Sequence, residues 1–130
     1  MVIIGAGISG IDAGVHLTKD NPSLSFSILE RRENMGGTWD LFRYPGIRSD
    51  SGMFTFGFHF KPWSSAKPIA PGEDILEYVK QTAEEFGVLD KIRFNTRVLT
   101  ANWASSDSSV SKNNACPTSC ALSHSAFCFP

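Results

Sequence analysis

Three glycines near the start of the chain and an acid that follows them have the spacing of a dinucleotide-binding site. Gly5, Gly7 and Gly10 form a GxGxxG pattern with Ser9 inside it, and Glu30 comes twenty residues after the last glycine. In such a pattern the first glycine allows a tight turn, the second lets the backbone approach a pyrophosphate, and the third lets a helix pack closely on a strand. The acid can accept hydrogen bonds from the hydroxyl groups of an adenosine ribose. A glycine-rich turn that binds no ligand is the alternative interpretation.

The segments around these residues have the patterns of a strand, a helix and a second strand. Residues 2–4 are an apolar strand that runs into the glycines, and residues 25–29 predict a second strand that ends at the acid. Between them, the apolar face of the predicted helix consists of Ile8, Ile11, Val15 and Leu17. Alternating phenylalanines predict an extended segment over 53–63, helical spacing predicts a helix over 73–86, and a strand is predicted over 92–98. The fold class indicated is α/β, a partial Rossmann-like domain.

A second glycine pair follows the acid, in a loop that a longer ligand would need. Gly36 and Gly37 again allow a close backbone approach, and the polar and flat apolar side chains after them are Thr38, Trp39 and Asp40. A ligand that contained only ADP would have no use for such a loop, so we expect the ligand to continue beyond its pyrophosphate. Arg31 and Arg32 favour a rival interpretation, a clamp for the 2′-phosphate of NADP, but Glu30 would repel that phosphate. The alternative, for at least one of these arginines, is a side chain that is exposed to solvent and binds no ligand.

A turn and a short charged segment come next. Residues 44–46 read Tyr-Pro-Gly, which is typical of a turn. Arg48 and Asp50 flank Ser49 on the loop that follows, where a pair of charges can orient a polar ligand. An ion pair on the surface, which contributes little to stability, is the alternative.

Composition excludes several classes of function. The net charge of −1 gives no support for binding to nucleic acid or to an anionic membrane surface. No apolar run approaches the ~20 residues that cross a bilayer, so no membrane span is expected. The start lacks the basic segment of a signal peptide, and a cytoplasmic location is therefore expected.

The composition changes near residue 104, and this divides the chain into two predicted parts. Residues 1–104 carry the periodic apolar segments of an incomplete Rossmann-like domain, whereas residues 105–130 are rich in Ser, Asn and Cys and are expected to be disordered. Four residues of the types that bind zinc lie there at every fourth position, namely Cys116, Cys120, His124 and Cys128. Pro117 would break a helix through this set, so no metal site is expected. A shifted reading frame or a truncation explains the change of composition better.

Taken in order, these motifs resemble the first part of the flavin-containing monooxygenases. The motifs that match are the glycine turn at 5–10, the acid at 30, and the segments 36–40 and 43–50 (Gly-Gly-Thr-Trp-Asp and Arg-Tyr-Pro-Gly-Ile-Arg-Ser-Asp). Segments at 60–63, 75–80 and 92–94 also resemble that family. The resemblance covers residues 1–104 and is to the Baeyer–Villiger type, in particular to its ethionamide-activating bacterial group.

This resemblance implies FAD and NADPH as cofactors and gives a role to each site residue. The residues implied at the FAD pyrophosphate are Gly5, Gly7, Ser9 and Gly10, and Glu30 is implied at the adenosine ribose. Those implied along the flavin half are Thr38, Trp39, Asp40 and Leu41, and Gly37 is expected to approach the cofactor with its backbone. Those implied where the nicotinamide of NADPH meets the flavin are Arg48, Ser49 and Asp50, the last of which would also touch FAD. The backbone of Val98 would hold the edge of the adenine.

The reaction that the resemblance implies is an NADPH- and O₂-dependent oxidation of a small ketone or sulfur compound. The sequence contains no second GxGxxG turn for NADPH, so activity of this chain by itself is not expected and no catalytic residue is assigned. Two alternatives stay open. The chain could be a dinucleotide-binding module without turnover, or a truncated product without function.

Overall fold

A small parallel sheet forms the centre of the computed structural model, which describes residues 1–106 and 108–115. Its strands are β1 (Val2–Ile4), β2 (Ser27–Leu29) and β3 (Ile92–Arg93), in that spatial order. Strand β1 pairs with β2 in parallel, Val2 opposite Ser27, and β2 pairs with β3 in parallel, Ile28 opposite Ile92. The predicted α/β, Rossmann-like fold class is confirmed.

Helices connect the strands and cover the sheet. The first two strands are joined through α1 (Ile8–Asp20), as a βαβ unit requires. Two single-turn helices follow, α2 (Thr38–Leu41) and α3 (Met53–Phe56), and then the longer α4 (Gly72–Glu85) and a 3₁₀ turn over Leu89–Lys91. The core includes Ile11 and Val15 of α1, Ile28 of β2, and Ile75 and Val79 of α4, all fully buried. The predicted helix over 73–86 is thus confirmed to within one residue at each end.

The extended segment predicted over 53–63 is wrong. Residues 53–56 form the helical turn α3, in which the N–H of Gly57 donates to the carbonyl of Met53 at 2.8 Å, and the chain then continues as a loop. The alternating aromatic residues do not share one buried face, since Phe54 is exposed whereas Phe58 is buried. A residue of α4 holds the loop in place. The Tyr78 hydroxyl accepts from the N–H of Phe58 at 2.8 Å and donates to the Lys61 carbonyl. The loop's backbone is therefore bonded to a side chain and not to a neighbouring strand.

The single strand predicted over 92–98 is also wrong. Strand β3 ends after two residues, and Asn95 then takes a positive φ of 52°, which an extended strand does not contain. The chain restarts as β4 (Arg97–Ala104), which pairs antiparallel with β5 (Ser109–Ala115) in a separate two-stranded sheet. The N–H groups of Asn95 and Thr96 donate to the carbonyls of Arg32 and Glu30, at 3.0 and 2.8 Å. These bonds turn the chain across the end of β2.

Regular secondary structure continues beyond the boundary predicted at residue 104. Strand β5 occupies residues 109–115, within the part expected to lack regular structure, and the division of the chain at residue 104 stays a prediction. The cysteines and His124 of the possible zinc set lie outside the described residues. Within the described residues, no three His, Cys, Asp or Glu side chains are grouped as a metal site would require. Over the same residues, no helix has the length and apolar character of a membrane span.

Candidate dinucleotide-binding site

A groove runs over the carboxyl ends of β1 and β2, where ligands of open α/β sheets bind. It consists of two adjoining cavities of about 270 and 310 Å³, which share Ile4 and Gly5. The first cavity is lined by the glycine turn and the second glycine loop, including Gly7, Ser9, Gly10, Gly37, Thr38 and Trp39. The second is lined by residues that follow β2 and β3, including Glu30, Arg31, Thr96, Arg97 and Val98. Most of the residues predicted for the site thus lie along one groove.

The three glycines of the turn lack side chains for different reasons. Gly5 has a φ of +93°, which other residues rarely adopt, and its N–H donates to the Leu29 carbonyl at 2.8 Å. A Cβ on Gly10 would lie 2.0 Å from the Gly5 carbonyl oxygen, so the turn and the helix could not both keep their places. Gly7 is different, because its φ of −81° and ψ of −173° suit any residue and the nearest heavy atom to a Cβ would be 3.6 Å away. The fold permits a side chain at Gly7, and its absence leaves space on the groove.

The amino terminus of α1 opens onto the same cavity. Gly7 is the residue before the helix, and no side chain caps the first N–H groups, while the first turn contains no acid. Ser9 is exposed on this turn. Unbonded N–H groups and the positive end of the helix dipole favour an anion at this position.

Glu30 lies beside the turn and not far from it. Its side chain is buried, and its two carboxylate oxygens accept from the N–H of Ala6 at 2.8 Å and from the N–H of Arg32 at 2.9 Å. A carboxylate has about four acceptor positions, so each oxygen keeps room for one further hydrogen bond. The carboxylate is therefore held at the groove with acceptor capacity for two hydroxyl groups.

The second glycine loop packs on the first. Gly36 donates its N–H to the Ala6 carbonyl at 2.9 Å, and a Cβ on Gly37 would lie 3.0 Å from the Gly7 Cα. Both glycines have positive φ, 112° and 55°. Two backbones therefore meet without side chains between them, and sequence reasoning did not anticipate this contact. Sequence reasoning also missed Ala6, whose N–H donates to Glu30 and whose carbonyl accepts from Gly36. The only signal for Ala6 in the sequence is its position between two glycines.

A buried ion pair holds the second loop. The carboxylate of Asp40, 3% exposed, pairs with the guanidinium of Arg32 and, at 3.1 Å, with that of Arg43. Arg32 also donates to the Gly37 carbonyl at 3.3 Å. Its guanidinium is thus engaged, which contradicts the interpretation of Arg32 as part of a 2′-phosphate clamp. Arg31 is exposed and lines the second cavity.

The other predicted residues lie outside the two cavities. Leu41 is half exposed. Ser49 is buried, where its N–H donates to the Ala70 carbonyl at 2.9 Å and its hydroxyl accepts from the Ala70 N–H at 3.0 Å. Arg48 and Asp50 are exposed, and no ion pair joins them in the described part of the chain. Ser49 thus has a structural role here, and the structure does not bring these three residues to the groove.

Comparisons with known proteins agree with this geometry. Residues 3–66 match the family model described as an NAD(P)-binding Rossmann-like domain. The FAD-containing monooxygenase EthA of Mycobacterium tuberculosis (strain ATCC 25618 / H37Rv) is 56% identical over 107 residues, which are 82% of this chain and 22% of EthA. The chain is a homologue of the FAD-containing, Baeyer–Villiger-type monooxygenases. The resemblance stated from the sequence is confirmed.

Solved structures support the same relationship to these monooxygenases. An oxidized steroid monooxygenase bound to NADP superposes with a TM-score of 0.77 at 29% identity, and OTEMO in complex with FAD and NADP superposes with a TM-score of 0.76 at 30% identity. Each covers 87% of this chain, whereas this chain covers 22% of each. The chain therefore spans about a fifth of the length of the monooxygenases that it matches.

Proposed function

We propose that this chain forms the ADP-binding part of an FAD site that belongs to an NADPH- and O₂-dependent monooxygenase. The observation that carries the proposal is the single groove in which the glycine turn, the amino terminus of α1 and Glu30 follow one another. A relative is named as FAD-containing, and a structural neighbour holds both FAD and NADP. The groove has the elements that an adenine dinucleotide requires, in the order in which its parts are joined.

Each part of the groove has a proposed role toward FAD. The N–H groups of the first turn of α1, including that of Ser9, would bind the pyrophosphate, because no side chain caps them and they lie at the positive end of the helix. Glu30 would accept from the ribose hydroxyls, and the backbone at Val98 would meet the adenine. Thr38 and Trp39 line the end of the groove toward which the flavin would extend. Because Asp40 is buried and paired, and its N–H donates to the Gly37 carbonyl at 3.2 Å, its proposed role is to hold the loop along which the flavin would lie.

The chemistry would come from the bound cofactor. FAD, when bound, would accept hydride from NADPH and react with O₂, so that one oxygen atom enters a ketone or joins a sulfur and the other leaves as water. This chain's own residues bind and orient the dinucleotide. In a complete monooxygenase of this type, Arg48, Ser49 and Asp50 are proposed to lie near the nicotinamide, and the substrate class is proposed on the family relationship alone.

The experiment that tests the proposal compares two glycine substitutions in the full chain. Gly7→Ala places a methyl group where the pyrophosphate would approach, at a position where the fold itself accepts alanine. Gly52→Ala is the matched control, since Gly52 also has ordinary backbone angles, φ −65° and ψ 130°, and open space around it. We expect Gly7→Ala to weaken FAD binding by at least about tenfold, a loss of about 1.4 kcal/mol, without lowering the melting temperature.

Calorimetric titration with FAD measures the affinity, and circular dichroism measures the melting temperature. Gly52→Ala is expected to bind FAD like the unsubstituted chain. If the unsubstituted chain does not bind FAD saturably, or if Gly7→Ala binds as well as the control, the groove is not an FAD site.

A further inference from the structure

Arg32 contacts both ends of the groove. Its backbone N–H donates to Glu30 Oε1 at 2.9 Å, at the end where the ribose would bind. Its guanidinium donates to the Gly37 carbonyl at 3.3 Å and pairs with the Asp40 carboxylate, at the end that leads to the flavin. Arg32 is partly buried, and its carbonyl also accepts from the N–H of Asn95 at 3.0 Å.

The contacts of this side chain help to hold a loop that is also bonded through the N–H of Gly36 to the Ala6 carbonyl and that packs Trp39 against Phe56. Helix α2 has only one turn, and no side chain caps its amino terminus. The loop meets the glycine turn through backbone alone, Gly37 against Gly7. Asp40 is 3% exposed, so loss of the Arg32 guanidinium would leave a buried carboxylate with only Arg43, whose own side chain is mostly exposed. Charge-assisted hydrogen bonds of this kind are stronger than neutral ones.

We propose that Arg32 is a positioning residue that couples the ribose end of the groove to the loop 36–41, so that the two halves of a dinucleotide site form together. This inference rests on the proposed function, since it concerns how the same groove is held. Arg32 is assigned no contact with the cofactor. It acts through Gly37 and Asp40, and the part of the ligand that should sense its loss is the part beyond the pyrophosphate.

The test compares Arg32→Lys with Arg93→Lys in the full chain. Lysine keeps the charge but lacks the planar fork that reaches Gly37 and Asp40 at once. Arg93 is exposed and lines neither cavity of the groove, which makes Arg93→Lys a matched control. Calorimetric titrations with FAD and with ADP separate the two ends of the groove. We expect Arg32→Lys to weaken FAD binding by about tenfold and ADP binding by less than about twofold, whereas Arg93→Lys changes neither.

Hydrogen exchange of the ligand-free chain gives a second readout. The N–H groups of Trp39, Asp40, Leu41 and Phe42 bond within the loop, and they should exchange faster in Arg32→Lys while those of α4 do not change. Equal losses of FAD and ADP affinity, or unchanged exchange in the loop, would overturn the role of Arg32. An unsubstituted chain that binds neither nucleotide would instead overturn the proposed function, so the two failures differ.

Discussion

At the scale of single residues, Gly7 and Gly10 show that two glycines of one motif can be glycine for different physical reasons. A side chain on Gly10 would collide with the Gly5 carbonyl, whereas one on Gly7 would meet only ordinary contacts within the protein. The fold explains the first absence but not the second. The space left at Gly7 is therefore the residue-level feature that most directly indicates a ligand.

Tyr78 is the residue whose protonation bears on stability. Its hydroxyl lies between the N–H of Phe58 and the carbonyl of Lys61, and it fixes the loop that follows α3. Burial is the main cause that raises the pKa of Tyr78 above 10.0; the nearby charge of Asp12 raises it too, while the bond from Phe58 lowers it. The folded chain thus favours the neutral phenol.

A pH-dependent loss of stability follows for Tyr78. Because its folded pKa exceeds the unfolded value, the contribution is complete below about pH 10 and is lost as pH rises through the folded pKa. We expect Tyr78→Phe to lower the free energy of unfolding by about 1–2 kcal/mol at pH 7, since it leaves buried backbone groups unbonded. Urea titrations measure this free energy at pH 7 and above pH 10. The difference between Tyr78→Phe and the unsubstituted chain should be smaller at the higher pH.

The control for this prediction is Tyr44→Phe, because Tyr44 is the only other tyrosine and is exposed. It should change stability little at either pH. A gap for Tyr78→Phe that stays constant or widens with rising pH would contradict the assignment.

At the scale of elements, the packing of α1 on the sheet depends on a small residue within the helix. A Cβ on Gly14 would lie 2.8 Å from Val88 Cγ1 and 3.1 Å from Ile28 Cδ1. Alanine would favour the helix by about 1 kcal/mol, but the collision with a fully buried valine opposes it. The structure thus identifies Val88 and Ile28 as the side chains that require a small residue at position 14.

We predict that the effect of Gly14→Ala on the free energy of unfolding changes sign when Val88 is replaced by alanine. We expect Gly14→Ala alone to lower the free energy of unfolding by about 1 kcal/mol, because the overpacking of Val88 exceeds the gain in helix propensity. In a Val88→Ala background the closest contact is removed and only the end of the Ile28 side chain has to shift, so Gly14→Ala should then raise stability by up to about 1 kcal/mol. Urea unfolding of the four chains measures the coupling, and Gly52→Ala in both backgrounds is the control. Strictly additive effects would show that the two residues do not compete for space.

The two wrong elements show the limit of periodicity. Alternation over 53–63 is compatible with a strand, but no strand among the described residues pairs with this segment, and Tyr78 bonds its backbone at Phe58 and Lys61 instead. The apolar pattern over 92–98 also suits a strand, but positive φ at Asn95 and bonds to residues after β2 divide it. In both cases a distant segment takes the hydrogen bonds that the pattern assigned to a sheet.

At the scale of the whole molecule, the described residues include the groove of the proposed site, and the chain spans about a fifth of the length of the related monooxygenases. The groove can account for binding of one dinucleotide. Hydride transfer needs a second nucleotide held against the first, and the sequence contains a single GxGxxG turn. We therefore expect this chain to bind a dinucleotide without turnover.

The prediction at this scale separates a binding module from a complete enzyme. With FAD bound, the full chain should show no substrate-dependent O₂ uptake when NADPH and a small ketone or thioether are added, because the sequence has no second GxGxxG turn to orient NADPH. An oxygen electrode measures uptake, and a complete monooxygenase of this family is the positive control. Uptake above that of free FAD, lost in Gly7→Ala, would show that the chain turns over by itself.

The sequence by itself determined the glycine turn, the acid at its distance, the first βαβ unit and the family relationship. These depend on local rules, since positive φ, the lack of a Cβ and helical spacing of apolar residues act over a few neighbouring positions. The tertiary structure alone decided that Gly37 meets Gly7, that Arg32 holds Asp40, and that Thr96 and Val98 lie beside Glu30. Two of these contacts join segments far apart in the chain, and the third joins Arg32 and Asp40 across a turn of eight residues. All of them form only when packing brings the side chains or backbones together, so no periodic pattern in the sequence records them.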